Sequence, residues 1–311
     1  MESSAIVFVH KGNPCYLKYA LNNAKKSNPN SDIILIGDES NKNTIARLGG
    51  RHYRIADYFF AAKEFEKIYI YQSTNSYDFE LFCFQRWFII KDFVESNDIK
   101  HFIACDSDVL IYDDLSNYFN YSEWKSDYLN VIDRWGPQCV YFTKESVVNF
   151  CNYIKNEYTN REKLKRMKQN WQNNLQNNLP GGISDMTVFS NYGIDFPEKF
   201  KNLYGVTKCK ENGCLFYDAA NYELFNKVLF KHKIVRHMTI AKIQFSNHIP
   251  FVLGNDGMCY KCPIIHFQGP YKGLMCKYSY ESFFVKLYDV LKFYFIALVR
   301  KLKKMCLHNC N

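Results

Sequence analysis

The sequence predicts an α/β fold with a mostly parallel sheet flanked by helices and a C-terminal amphipathic helix. Two observations support this: short apolar runs alternate with helical patterns, and the runs end in polar turn residues, as parallel strands joined by helices do. The length of 311 residues suits one large domain. Hydrophobic residues make up 47% of the chain, which is ample for a buried core.

The N-terminal part of the chain has the pattern of parallel strand–helix–strand units. Residues 6–9 form an apolar run that ends in a turn cluster at residues 10–14. Residues 16–26 then show helical spacing, and residues 32–36 form a second buried run closed by Gly37. We therefore expect two neighbouring parallel strands with a helix between them.

The middle of the chain continues this alternation of strands and helices. Residues 79–96 are predicted as an amphipathic helix and residues 101–105 as a third buried strand. The polar stretch 159–180 is typical of a solvated helix or of a loop over a site. The remaining predicted elements are strands at 129–131 and 139–142, a helix at 144–158, and short strands between 205 and 265.

The strongest local signal follows the third predicted strand, where Asp106 and Asp108 flank Ser107. Alternation along an extended strand lets residues two apart point to one side. Two close carboxylates repel each other, and a hard divalent cation relieves that repulsion. The alternative is a polar turn whose acids cap a helix, which is the role expected for Asp113 and Asp114.

A second signal lies far along the chain, where an apolar run leads into His266 and is followed by Gly269 and Lys272. Neutral imidazole is a good ligand for a transition metal such as Mn²⁺. A glycine lets the backbone approach a phosphate, and a lysine supplies a point charge for a leaving diphosphate. The alternative is a core histidine followed by an ordinary turn.

Taken together, these two motifs resemble the metal-and-diphosphate signature of glycosyltransferases with the Rossmann-like GT-A fold. The likeness is closest to family 8, which includes glycogenin and bacterial lipopolysaccharide transferases, and it extends to related surface-polysaccharide transferases. The chain departs from family 8 in having Gly273 and Leu274 where Pro-Trp is usual. The resemblance implies Mn²⁺ or Mg²⁺ and a nucleoside-diphosphate sugar, UDP-linked, as donor.

The resemblance also assigns residues to the nucleotide. The loop from His10 to Tyr16 would lie near the uracil, and Asp38 falls where a base- or ribose-binding acid is found. Arg86 lies on a helix upstream of the Asp-Ser-Asp motif, as in the family, and Ser107 and Gly269 would border the donor. These roles are expectations carried by the likeness.

Further residues are expected to act on the sugar or the leaving group. The resemblance places Asp185 against hydroxyls of the transferred sugar, the alternative being a favourable acid in a helix's first turn. Asp133, beside Arg134, is a candidate for facing donor or acceptor, the alternative being a surface ion pair. Lys272 and the metal, held by Asp106, Asp108 and His266, would stabilise the leaving diphosphate.

The predicted activity is therefore transfer of a hexosyl group to a hydroxyl of a glycan, glycolipid or protein, in surface-glycan synthesis. A nucleotidyltransferase is the nearest enzymatic alternative, since it also pairs carboxylates with a metal. A non-catalytic nucleotide-sugar-binding protein on the same fold is the other. The net charge of +9 suits phosphate-bearing ligands, but it is spread along the chain, which argues against nucleic acid as a partner.

The chain divides into a predicted catalytic domain, residues 1–278, and a C-terminal tail, residues 279–311. The segment 280–304 has one apolar face and ends in four basic residues, which is typical of a helix lying on an anionic membrane surface. The alternatives are that this helix packs on the domain or on a second copy of the chain, as a homodimer. The N-terminus has no signal-peptide pattern, so we expect a cytoplasmic protein with reduced cysteines, peripheral on the membrane.

Overall fold

The structure is a computed structural model that describes residues 5–117, 129–131, 136–179, 182–202, 216–218, 232–235 and 238–280. Asp133, Arg134 and the predicted C-terminal helix beyond residue 280 lie outside the described residues.

The described strands and helices follow the predicted alternation closely. The strands are β1 (Ala5–Val9), β2 (Asp32–Gly37), β3 (Arg51–Arg54), β4 (His101–Cys105), β5 (Val109–Ile111), β6 (Leu129–Val131), β7 (Cys139–Thr143), β8 (Phe200–Asn202), β9 (Phe216–Asp218), β10 (His232–Val235), β11 (Met238–Ala241), β12 (Ile243–Ser246), β13 (Ile249–Leu253), β14 (Cys259–Lys261) and β15 (Ile264–His266). The helices are α1 (Leu17–Ser27), α2 (Lys42–Ala46), α3 (Phe60–Glu66), α4 (Tyr77–Ser96), α5 (Lys144–Thr159), α6 (Arg161–Gln176), α7 (Asp185–Asp195) and α8 (Met275–Tyr278).

Seven of the described strands form the main sheet, in the order β3-β2-β1-β4-β7-β6-β8. The pairs from β3 to β4 are parallel, β7 runs antiparallel to both its neighbours, and β8 is parallel to β6. The predicted mostly parallel sheet flanked by helices is therefore confirmed. The antiparallel strand β7 lies between the four parallel strands β3, β2, β1 and β4 and the parallel pair of β6 and β8.

Helices and smaller sheets cover the two faces of the main sheet. Successive side chains of β1 illustrate this, because Ile6 and Phe8 belong to one buried cluster and Val7 to the other. The first cluster includes Leu17 of α1, and the second includes Phe88 of α4. Both faces are therefore covered, as a parallel sheet requires.

A second sheet contains β15, the strand that places His266 beside the Asp-Ser-Asp motif. Its order is β5-β15-β9, with β5 antiparallel to β15 and β9 parallel to it. His266 pairs in register with Val109, and the Phe267 N–H donates to the carbonyl of Asp108 at 2.8 Å. The pairing thus joins two segments that are far apart in sequence.

The polar stretch for which the sequence left two alternatives is a helix over most of its length. Asn160 caps α6 with a side-chain oxygen that accepts from the N–H groups of Glu162 and Lys163. Met167 is its one residue that is buried, so α6 presents mostly polar surface to solvent. Among the described residues, no helix combines the length and the apolar character that crossing a membrane requires.

Candidate functional site

The Asp-Ser-Asp motif lies in a turn that joins β4 to β5. The Asp106 N–H donates to the Gln138 carbonyl at 2.8 Å, and the Val109 N–H donates back to the Asp106 carbonyl at 3.2 Å. The turn, rather than the alternation of an extended strand, brings the two carboxylates together. That part of the sequence argument is wrong, because β4 already ends at Cys105.

The three predicted metal ligands lie together in the structure. Asp106, Asp108 and His266 each offer a ligand atom within 4.8 Å of the others. His266 Nε2 and Asp108 Oδ1 are 3.5 Å apart. Asp108 and His266 are buried, so the cluster is largely withdrawn from bulk water. Two carboxylates with one imidazole form a donor set that suits a divalent metal such as Mn²⁺.

Arg86 neutralises one side of this cluster. Its guanidinium forms an ion pair with Asp106, and its Nη2 donates to Asp185 Oδ2 at 2.7 Å. Burial alone would disfavour the guanidinium charge, but the two carboxylates outweigh it and the pKa of Arg86 is raised. Arg86 therefore stays charged and joins the Asp-Ser-Asp turn to the start of α7.

Lys272 neutralises the other side. Its ammonium lies 3.0 Å from Asp108 Oδ2 and 5.1 Å from the centre of the Tyr16 ring. Burial would raise the pKa of Asp108, but His266 and Lys272 reverse that effect and lower it. Burial lowers the pKa of Lys272, but Asp108, Tyr16 and Asp106 together raise it overall, so the lysine and Asp108 are both charged.

Asp106 responds differently to its surroundings. Burial and the neighbouring charge of Asp108 raise the pKa of Asp106 to about 6, although Arg86 acts in the opposite direction. Burial and like charge therefore disfavour an ionised Asp106 unless further positive charge is present. A bound divalent cation would supply the missing positive charge.

His10, Tyr16 and Ser107, which were predicted to contact the nucleotide, lie beside the cluster of Asp106, Asp108 and His266. His10 Nδ1 and Ser107 Oγ are 2.9 Å apart, and the His10 ring meets the Tyr16 ring edge-on at 5.9 Å between centres. Burial, together with the charge of Lys272, lowers the pKa of His10 to about 4. His10 is thus a neutral hydrogen-bonding group at neutral pH.

Asp38, predicted to bind base or ribose, lies across from the loop after β1. Its carboxylate accepts hydrogen bonds from the Gly12 N–H and from both the N–H and the hydroxyl of Ser40. Burial would raise the pKa of Asp38, but these donors lower it overall. Asp38, which follows β2, is therefore attached to the loop after β1 that also contains His10.

Asn41 supports this loop and was missed by the sequence argument. It is fully buried, and its Nδ2 donates to the carbonyls of His10 and Gly12, each at 3.0 Å. Its Oδ1 lies 3.0 Å from Nε2 of His52. A Cβ on Gly37 would fall 2.1 Å from the Asn41 side chain, so only glycine leaves it room. An asparagine after a predicted strand gave no local sign of this role.

Asp185 begins α7, and its side chain lies against α4. Its Oδ2 accepts from the Trp87 indole N–H at 3.0 Å as well as from Arg86. Ser184 caps the helix, as its position before the first turn suggests. Trp87 is the second contact that was missed, because its place in the apolar stripe of α4 indicated only a core residue.

Gly269 opens the short 3₁₀ turn, Gly269–Leu274, that carries Lys272. Its φ is +57°, in the left-handed region that favours glycine. A Cβ there would meet no atom of the described residues within 4 Å, so the backbone conformation, not close approach, explains the glycine. The predicted phosphate contact of Gly269 stays a prediction.

Comparison with known proteins identifies the fold. The chain is similar to a crystal structure of mouse xyloside xylosyltransferase 1 in its apo form, with a TM-score of 0.51, 9% identity, and 72% of this chain and 92% of that chain covered. It also matches GlyE of Streptococcus pneumoniae TIGR4 at TM-score 0.45 and 12% identity, covering 93% of this chain and 63% of that one.

A third match is an active-site mutant of LgtC, at TM-score 0.46 and 13% identity, with 86% of this chain and 88% of that chain covered. The fold assignment rests on the first match. The predicted GT-A type of α/β fold is thereby confirmed. No protein-family model matches the chain, and no curated protein matches it.

Proposed function

We propose that this protein is a metal-dependent glycosyltransferase that moves a sugar from a nucleoside diphosphate to an acceptor hydroxyl. The observation that supports this most strongly is the convergence of Asp106, Asp108 and His266, with Lys272 paired to Asp108. The convergence occurs on a fold similar to that of a xylosyltransferase.

The metal would be held by those two carboxylates and the imidazole. The donor set fits, because carboxylate oxygens and an imidazole nitrogen converge within 4.8 Å, where burial and a neighbouring carboxylate disfavour an ionised Asp106. A divalent cation bound there would supply Lewis-acid stabilisation of the donor's diphosphate. Mn²⁺ is favoured over Mg²⁺ because one ligand is a histidine.

The donor's nucleoside would lie between the loop after β1 and the end of β2. His10, Tyr16 and Asp38 line this region, and Ser107 joins it to the metal cluster through His10. All of them follow the carboxyl ends of parallel strands, where ligands of open α/β sheets bind. A UDP-linked donor is our proposal for the nucleotide.

Lys272 would act on the leaving group. Its ammonium is held near the cluster by Asp108 and Tyr16, so it can neutralise charge as the glycosidic bond to the diphosphate breaks. Asp185, fixed by Arg86 and Trp87, would orient the transferred sugar through its hydroxyls. The acceptor would be a glycan or a lipid-linked glycan.

A ligand screen tests the proposal. Purified protein is mixed with Mn²⁺ and a panel of nucleotide sugars, and melting temperature and donor hydrolysis are recorded. We expect a raised melting temperature with one nucleotide class, and release of nucleoside diphosphate and free sugar.

Two outcomes would assign the protein differently. Pyrophosphate release from a nucleoside triphosphate and a sugar phosphate would identify a nucleotidyltransferase. Stabilisation without any turnover, with donors and simple glycan acceptors, would identify a binding protein. In the active case Asp108→Asn should abolish Mn²⁺-dependent hydrolysis, whereas Asp98→Asn, at an exposed acid, should not change it.

A further inference from the structure

Glu80 is a buried carboxylate on α4 that lies outside the cluster of metal, nucleotide and sugar residues. It is only 1% exposed. Its Oε2 accepts from Ser73 Oγ at 2.8 Å and from Asn75 Nδ2 at 2.9 Å. A carboxylate in the interior is costly without such donors, so the contacts bind residues 73–75 firmly to the start of α4.

The same loop is paired with the segment that leads into α7. Ser73 and Gly182 form an antiparallel bridge, and the Ile183 N–H donates to the Gln72 carbonyl at 2.8 Å. A Cβ on Gly182 would lie 2.3 Å from that carbonyl oxygen and 2.4 Å from the Ser73 Cα. The two backbones are therefore in direct contact, with no room for a side chain between them.

The segment 182–184 leads directly into Asp185 and so sets the position of its backbone. Ile183 is buried, Ser184 caps α7, and Asp185 is the first helical residue. The Asp185 side chain then returns to α4, where it accepts from Arg86 and Trp87. Helix α4 thus holds Asp185 twice: directly through its side chain, and indirectly through Glu80, the loop 72–75 and the segment 182–184.

We infer that Glu80 is a positioning residue that sets where Asp185 stands. The inference rests on the proposed function, in which Asp185 orients the transferred sugar. Two attachments to one rigid helix fix both the backbone and the side chain of Asp185. Loosening the indirect one misaligns the sugar, and misalignment lowers turnover more than it weakens donor binding.

The test uses the Trp87 indole N–H as a reporter of the Asp185 carboxylate. Its resonance in a ¹⁵N–¹H spectrum is assigned with Trp87→Phe, and its hydrogen exchange is measured in wild type, Glu80→Gln and Ser73→Ala. We expect about tenfold faster exchange and a shifted resonance in both variants, because each weakens a charge-assisted hydrogen bond that resists local opening.

Glu95→Gln is the matched control. Glu95 is a more exposed acid on the same helix that pairs with Lys91, and its removal should leave the reporter unchanged. If Glu80→Gln does not fold, Ser73→Ala still decides, since it removes one donor and leaves the carboxylate in place. A reporter identical to wild type in the folded variants would overturn the inference.

The second part of the test measures kcat and the donor KM. With a donor that the wild type hydrolyses, Glu80→Gln should lower kcat about tenfold and change the donor KM by less than about twofold. A shifted reporter with normal kcat would show that Glu80 is only structural, which also overturns the inference. If the wild type hydrolyses no nucleotide sugar, the proposed function fails, while the indole reporter still shows whether Glu80 controls Asp185.

Discussion

At the scale of single residues, opposite charges organise the site. Asp106 is paired with Arg86, and Asp108 with Lys272, while His266 and Asp108 face each other. Each pair is at least partly buried, so the interactions are weakly screened and the side chains are held in place before any ligand arrives. In the proposed reaction, preorganised charge of this kind would stabilise the departing diphosphate.

Replacing Lys272 with Ala tests its proposed role. We expect kcat for donor hydrolysis to fall about 100-fold, the effect of removing one preorganised donor, while donor affinity changes much less. Steady-state kinetics with saturating Mn²⁺ measure both quantities. Lys277→Ala, at an exposed lysine five residues further along the chain, is the control. Normal kcat with only a raised KM would contradict the leaving-group role.

His10 gives the metal-free protein a predictable pH dependence. Its pKa falls from 6.5 to about 4 on folding, so the unfolded chain binds the proton more tightly. His10 therefore does not lower the free energy of unfolding above about pH 6.5. The free energy of unfolding declines as the pH falls towards 4, by about 1.4 kcal/mol for each unit of the pKa difference.

Urea unfolding across this pH range measures the effect. His10→Asn should flatten the decline between pH 6.5 and pH 4, because its amide does not titrate. His248→Asn is the control, a histidine distant in sequence with no comparable burial. An unchanged pH slope in His10→Asn would show that other groups cause the acid sensitivity.

At the scale of elements, the site is built where strands end. The loops after β1, β2 and β4 carry the residues proposed to bind the nucleotide and the two clustered carboxylates, and β15 ends at His266. The turn that follows β15 then carries Lys272 towards Asp108. The geometry of this turn decides whether Lys272 reaches the cluster.

Gly269→Ala tests that turn. A Cβ in the left-handed region costs about 1 kcal/mol, so we expect lower stability in thermal unfolding and weaker Mn²⁺-dependent donor hydrolysis. Gly269→Asn is the matched comparison, because asparagine tolerates this region better and should retain more of both. Equal effects of the two substitutions would show that the φ of Gly269 is not what matters.

At the scale of the whole molecule, the basic C-terminal segment is predicted to hold the protein at a membrane surface. At the start of this segment the Tyr280 hydroxyl donates to the Tyr112 carbonyl at 2.7 Å, and the Tyr280 N–H donates to Asn23 Oδ1 at 2.9 Å. These contacts attach the start of the tail to the domain. The amphipathic pattern beyond it remains a prediction from sequence.

Flotation with anionic liposomes tests the membrane role of the tail. We expect the full chain to float and a chain truncated after Ser279 to stay in solution. Each basic residue near an anionic surface contributes about 1 kcal/mol, so changing Arg300, Lys301, Lys303 and Lys304 to Gln should reduce flotation strongly. If the full chain does not float, the tail belongs to the core or to a dimer, which sedimentation of both forms would distinguish.

The sequence by itself determined the local parts of this protein. Apolar runs and polar turns placed many of the strands and helices, and Asp185 does lie in the first turn of a helix, α7. These features depend on neighbours along the chain: strand burial, helical spacing and first-turn capping. The residue types of the Asp-Ser-Asp and His-Gly-Lys motifs also indicated a common site, and Asp106, Asp108 and His266 do lie together; the metal and the phosphate stay predictions.

The tertiary structure alone decided which of these parts meet. His266 reaches Asp108 because β15 pairs with β5 in one register, and a slip of a single residue would turn the histidine to the other face. Arg86 joins Asp106 to Asp185 only because α4 packs beside both. The roles of Asn41, Trp87 and Glu80 could not be predicted, since their partners are backbone groups and side chains brought close by packing.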